Sequence, residues 1–181
     1  MTETPDWLSL DDDALLAQCD VHIYKASGPG GQHRNKVSSA VRLHHRPTGL
    51  SAHGGDSRSQ HTNKRLALRR LRRQIALTVR RPADPTAWAR HLPEPLAAAI
   101  VRPANRKAAG ARLQVGPKDE RFWPVAQALL DLLDACDGRL ADTAAALGVT
   151  TSNLVAHLKK DRHLFAVASQ IRKAHGHGPL K

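Results

Sequence analysis

Residues 27–36 read SGPGGQHRNK, and their types suit chemistry against a charged surface. Gly28, Pro29, Gly30 and Gly31 place three glycines and a proline within four positions. Glycine enters φ > 0 without strain and lets a backbone approach another surface closely. Gln32, His33, Arg34, Asn35 and Lys36 follow at once. This run of amides and cations points to a polyanionic partner. The spacing lacks the Lys-Ser/Thr of a P-loop and the G-x-G-x-x-G of a dinucleotide fold. By itself the glycine cluster also fits a plain tight turn.

Short strands are expected on both sides. Val21 and Ile23 alternate with His22 and Tyr24, and Val41, Leu43 and His45 alternate with Arg42, His44 and Arg46. The RPTG at 46–49 is turn chemistry, so strands near 40–46 and 50–54 should form a hairpin. Residues 57–80 read as one helix, with Leu68, Leu71, Ile75 and Val79 as its apolar stripe. Arg58, Lys64, Arg65, Arg69, Arg70, Arg72, Arg73, Arg80 and Arg81 lie on or beside it, with no acidic residue between them. Like charges at i,i+4 destabilise a helix unless an anion compensates, so the run predicts nucleic-acid contact. Ahead of the strands, LDDDALLAQC predicts a short helix with acids in its first turn and Ser9 as N-cap.

Composition narrows the partner. The chain has 181 residues, a formal charge of +12 and a pI of about 10.7. Such an excess favours nucleic acid or an anionic membrane surface. No stretch approaches the roughly 18 apolar residues of a membrane span. The acidic start MTETPDWLSLDDD lacks the order of a signal peptide, so a cytoplasmic protein is expected. Cys19 and Cys136 fit neither a disulfide framework nor a zinc pattern, and the eleven histidines are scattered. No metal and no cofactor is expected.

The second half divides in two. Residues 81–120 are rich in Pro, Ala and Arg and read as a linker with a short helical piece around 94–101. Residues 121–181 read as a basic helical module. Val125, Leu129, Leu132 and Cys136 share one face, and Asp137-Gly138 ends that helix. Ala144, Gly148 and Leu154 sit at helix-turn-helix spacings. A recognition helix would then start near Thr150 and offer Thr151, Ser152, Asn153, His157 and Lys160. A last helix near 162–175 carries Arg172 and Lys173 and stops at Gly176.

Three blocks together carry a resemblance. SGPGGQHRNK, SAVRLHHRPTG and RSQHTNK resemble the catalytic domain of the class I peptide-chain release factors and the related ribosome-rescue peptidyl-tRNA hydrolases. The resemblance covers about residues 8–80. It implies an α+β fold for residues 1–80, with a short sheet and packed helices, followed by the 81–120 linker and the helix-turn-helix-like module. Arg34 departs from the pattern, which usually has an apolar residue there. So does HGGDS at 53–57, glycine-rich where strand residues are expected, which suggests a bulge or a mobile hairpin.

The resemblance also implies a reaction. Gly30, Gly31 and Gln32 would enter the ribosomal peptidyl-transferase centre, where water attacks the ester of peptidyl-tRNA. That step needs a placed water, a dry pocket and a donor for the developing oxyanion. The family assigns the donor to the Gln32 N–H and water selection to its side chain. His33, Arg34, Asn35 and Lys36 become RNA contacts, as do Arg58, Ser59, Gln60, His61, Lys64, Arg69, Arg70, Arg72 and Arg73. The implied partners are large-subunit rRNA and peptidyl-tRNA. A glutamine methyltransferase acting on Gln32 is admitted as a further partner. About twenty residues precede the strands that flank the glycine loop and no codon-reading tripeptide is visible, so hydrolysis without a stop codon, on stalled ribosomes, is expected. Two alternatives stay open: a nucleic-acid-binding regulator using the helix-turn-helix-like module, and a noncatalytic ribosome-binding factor.

Overall fold

The computed structural model describes residues 5–25, 38–102 and 110–180. The protein mixes helices with small antiparallel sheets, an α+β chain, and it divides into two compact units, Met1–Val79 and Arg80–Lys181.

The first unit begins with α1 (Asp12–Ala17). Its N-cap is Asp11, whose carboxylate accepts from the Ala14 N–H at 2.7 Å. The expected cap, Ser9, instead donates its hydroxyl to the Asp6 carbonyl at 2.8 Å. A charged acceptor two residues nearer the apolar stripe makes the stronger cap. Strands β1 (Cys19–Tyr24), β2 (Ala40–His45) and β3 (Ser51–Gly54) form one antiparallel sheet in that order. The expected hairpin is β2–β3, with Gly49 at φ 69° in its turn. Val41, Leu43 and His45 point into the core, as the alternation predicts.

Helix α2 (Gln60–Thr78) starts three residues later than expected, because Ser59 caps it by accepting from the Thr62 N–H. It packs Ala67, Leu68, Leu71 and Ile75 over β2 and β3. Edge-strand residues Val21 and Ile23 stay exposed. The HGGDS stretch is no bulge. Gly54 ends β3 in register with Val41. A Cβ there would lie 1.9 Å from the Asn63 carbonyl oxygen. This glycine lets the helix backbone rest on the strand.

In the second unit the Pro-rich stretch is largely built structure in its described parts. Helix α3 (Pro85–Arg90) was not foreseen, since its prolines read as breakers. Pro85 instead occupies the first turn behind the Asp84 cap, where a missing N–H costs nothing. The expected helical piece near 94–101 is α4 (Leu96–Ala99), followed by β4 (Ile100–Val101). Strand β4 pairs antiparallel with β5 (Arg112–Leu113). Leu96, Ala99, Ala111, Leu113 and Val115 are buried, which a solvated linker would not show. Helix α5 (Phe122–Ala135) is buried along most of its length and packs against α8 (Arg162–Ala174). Between them lie α6 (Leu140–Leu147) and α7 (Thr151–Leu158). Asp137 and Gly138, both at positive φ, follow α5, and Gly148 at φ 68° ends α6.

Candidate functional site

Sheet pairing fixes both ends of the glycine-rich segment. Tyr24 pairs with Ala40, so the chain leaves and re-enters the sheet at one end. Gly30, Gly31, Gln32, His33, Arg34, Asn35 and Lys36 lie outside the described residues. The returning end is held from α2. Asn63 is fully buried, and its side-chain amide donates to the Ser39 carbonyl at 2.7 Å and the Ser57 carbonyl at 2.8 Å. Its side-chain oxygen accepts from the Ser57 N–H at 2.9 Å. One side chain thus ties together the entry to β2, the exit from β3 and the start of α2. Sequence reading passed over Asn63. Its signal was position: 63, 67, 71 and 75 continue the apolar stripe one turn upstream.

The far corner of the sheet is fixed as firmly. His45 is buried, with Nε2 donating to the Gln18 side-chain oxygen at 3.1 Å and Nδ1 accepting from the Thr48 hydroxyl at 2.7 Å. Burial holds its pKa below the ordinary value, and Arg46 and His44 push the same way. Neutral His45 therefore serves as a structural bridge. Arg46 pairs with Asp20 at 2.9 Å and donates to the Ala17 carbonyl.

The basic residues of α2 separate into two groups. Arg58, Ser59, Gln60 and His61 are exposed around its N-terminus, and Ser59 also serves as the cap. Arg69 is exposed and Lys64 half-buried, and neither has an ion pair among the described residues. Arg65, which the expected contacts left out, is exposed on the same side, so His61, Arg65 and Arg69 line up at i,i+4. Arg70 and Arg72 are engaged. Arg70 binds the Asp56 carboxylate at 2.7 Å and the His53 carbonyl at 2.7 Å. Arg72 donates to the Leu8 and Leu10 carbonyls and to Asp12, and its side chain is only 18% exposed. Arg73 has a buried Nε with no hydrogen-bond partner. The free face is thus Arg58, His61, Arg65 and Arg69, a cationic strip suited to phosphates.

The residues of the expected recognition helix are placed differently. Thr151 and Ser152 are exposed. Asn153 accepts from the Leu113 N–H at 2.9 Å, Lys160 donates to the Val115 carbonyl at 2.8 Å, and His157 is buried. The first two tie α7 to the strand segment around β5, and His157 is packed inside the unit. Among the described residues, no group of His, Cys, Asp and Glu converges as a metal site would require.

The RF-1 domain profile matches residues 14–92. The chain is 47% identical over 73 residues to peptide chain release factor 1 of Albidiferax ferrireducens, covering 38% of this chain and 20% of that protein. It is 47% identical over 76 residues to peptide chain release factor 1 of Rickettsia bellii, covering 41% and 21%. It is 56% identical over 52 residues to peptide chain release factor 2 of Acidovorax sp. strain JS42, covering 29% and 14%. The chain therefore spans about a fifth or less of the length of these relatives. The match takes in the whole sheet, α2 and the Gly30-Gly31-Gln32 tripeptide, so residues 14–92 form a domain similar to the catalytic domain of the class I release factors.

Proposed function

We propose that this protein hydrolyses peptidyl-tRNA on stalled ribosomes without needing a stop codon. One observation carries the reading. The RF-1 domain match coincides with a sheet-and-helix unit in which paired strands and Asn63 hold both ends of the segment bearing Gly30, Gly31 and Gln32. In this reading Gln32 donates its backbone N–H to the oxyanion, and its side chain selects water. Gly30 and Gly31 give the backbone close approach. His33, Arg34, Asn35 and Lys36 contact rRNA beside them. Arg58, Ser59, Gln60, His61, Lys64 and Arg69 supply phosphate contacts from α2, and Arg65 joins them. Arg70, Arg72 and Arg73 act chiefly within the fold. The partners are large-subunit rRNA, peptidyl-tRNA and a glutamine methyltransferase acting on Gln32, in the cytoplasm.

We assign the second unit to general RNA contact rather than sequence reading. Asn153, His157 and Lys160 are committed inside it, which removes most of a recognition helix's readers. The helix-turn-helix reading keeps one support, the left-handed Gly148 between α6 and α7.

The test is peptide release from purified ribosomes carrying peptidyl-tRNA, with the A site empty, with sense codons and with a stop codon. Release from the empty-A-site complex is expected. Gly31→Ala should abolish it while sparing ribosome binding. Release confined to the stop-codon complex would overturn stop-codon independence. No release from any complex would overturn the hydrolase reading.

A further inference from the structure

We propose that the sheet face opposite α2 is a second RNA-binding surface, centred on Arg42; the inference rests on the ribosomal reading above. Residues directly opposite in an antiparallel sheet share a face. Val41, Leu43 and Ala52 face the core, so His22, Arg42 and His53 form an in-register row across all three strands on the other side. All three are exposed. The row contains no carboxylate. Asp20 and Asp56, the nearby acids, are already paired with Arg46 and Arg70.

Arg42 sits at the middle of the central strand. Its guanidinium has no hydrogen bond or ion pair among the described residues, unlike Arg46, Arg70 and Arg72. A guanidinium offers five donors and no acceptor, so its natural complement is an oxyanion. Beside it, Tyr24 and His53 form an edge-to-face pair with ring centroids 6.2 Å apart. The Tyr24 hydroxyl meets His53 Nδ1 at 3.2 Å, which fixes both rings. A free arginine flanked by imidazoles and an ordered phenol offers phosphate contacts and stacking surfaces together, the combination that suits looped RNA. The His22–Arg42–His53 row has no aliphatic side chain to form the dry centre of a protein interface.

The experiment titrates the full chain with purified large ribosomal subunits across a potassium chloride series. Arg42→Gln should weaken binding about tenfold, the loss of one charge-assisted contact. It should also reduce the salt slope by roughly 1. Arg42→Lys should keep most of that slope, and both variants should melt with the wild type. A photo-crosslinking residue at position 53 should label rRNA. Wild-type affinity for Arg42→Gln would overturn the proposal, as would crosslinks to ribosomal proteins alone. If the wild-type chain binds no large subunits, the functional reading fails and this surface fails with it. If the wild type binds and releases peptide while Arg42→Gln matches it, only the sheet surface falls.

Discussion

In the first unit Asn63 and His45 are fully buried, and each bonds through both polar atoms of its side chain. In the second unit His157 is as deeply buried, beside Phe122 at 5.6 Å, and neither ring nitrogen has a hydrogen-bond partner. Asp131, also buried, shares one carboxylate oxygen between Arg80 at 3.1 Å and the Arg81 N–H at 3.2 Å. Satisfied buried polar groups specify geometry, whereas unsatisfied or ionisable ones reduce stability and make it depend on pH. The first unit uses burial to hold the returning end of the glycine-rich segment and the far corner of the sheet. The second carries an unpartnered imidazole and a buried carboxylate inside its core.

The strongest way to break the contrast lies where β3 meets α2. Gly54→Ala would place a Cβ against the Asn63 backbone, which cannot move without lifting the helix. A loss of about 3 kcal/mol is expected, the upper range for overpacking. Thermal unfolding measures it, and a melt matching the wild type would contradict the packing. Asn63→Ala comes next. It leaves two carbonyls and one N–H without their partners, for about 3 kcal/mol at roughly 1 kcal/mol per bond. Because Ser39 borders the strand that leads out of the glycine-rich segment, the proposed function predicts that peptide release falls further than ribosome binding. Equal losses would make Asn63 a purely structural residue.

These residues also mark what the sequence made legible. Alternation gave the three strands, and the stripe Leu68, Leu71 and Ile75 gave α2, because a sheet under one helix leaves periodic burial. Three separate motif blocks carried the resemblance to the release factor catalytic domain, which the match over residues 14–92 supports. Gly54 escaped because it acts through tertiary contact, and Asn63 because a polar residue at the head of the 67, 71, 75 stripe reads as one more solvated position among cations. Pro85 misled because the same ring that breaks a helix interior also begins a helix. Arg72 read as a phosphate contact, since sequence does not show that Leu8, Leu10 and Asp12 lie beside it.

A pH series sharpens the comparison. Burial pushes Asp131 from 3.8 up to about 6, with Arg80 pulling the other way. The folded state holds that proton more tightly than the unfolded chain. Its stabilisation is present below pH 4 and is lost as pH rises through about 6. Burial, aided by Lys160, lowers His157 from 6.5 to about 4. Its stabilisation is present above pH 6.5 and is lost as pH falls towards 4. The two slopes oppose each other in one window, each worth about 3 kcal/mol at 1.36 kcal/mol per pKa unit. Asp131→Asn should therefore leave stability rising between pH 4 and 6.5, and His157→Leu should leave it falling. Chemical denaturation of the full chain at several pH values checks both signs. The same slope in both variants would sink the account.

The smallest effect separates free from engaged arginines within α2. Arg65 and Arg69 are exposed and without ion pairs among the described residues, so replacing either with Gln should change stability by less than about 0.5 kcal/mol. Each replacement should still lower the salt slope of ribosome binding by roughly 1, as a lost phosphate contact does. Arg72→Gln should behave in the opposite way. It releases the Leu8 and Leu10 carbonyls and Asp12, so the N-terminal segment loosens from α2 while the salt slope holds. A loss of about 1–2 kcal/mol is expected for bonds from a charged donor that is mostly buried. Ribosome titrations at four salt concentrations, paired with melts of the same three variants, read both quantities at once. If Arg72→Gln lowers the slope as much as Arg69→Gln does, Arg72 leaves its internal partners when RNA binds. The division of α2 into a binding strip and a structural clamp would then be wrong.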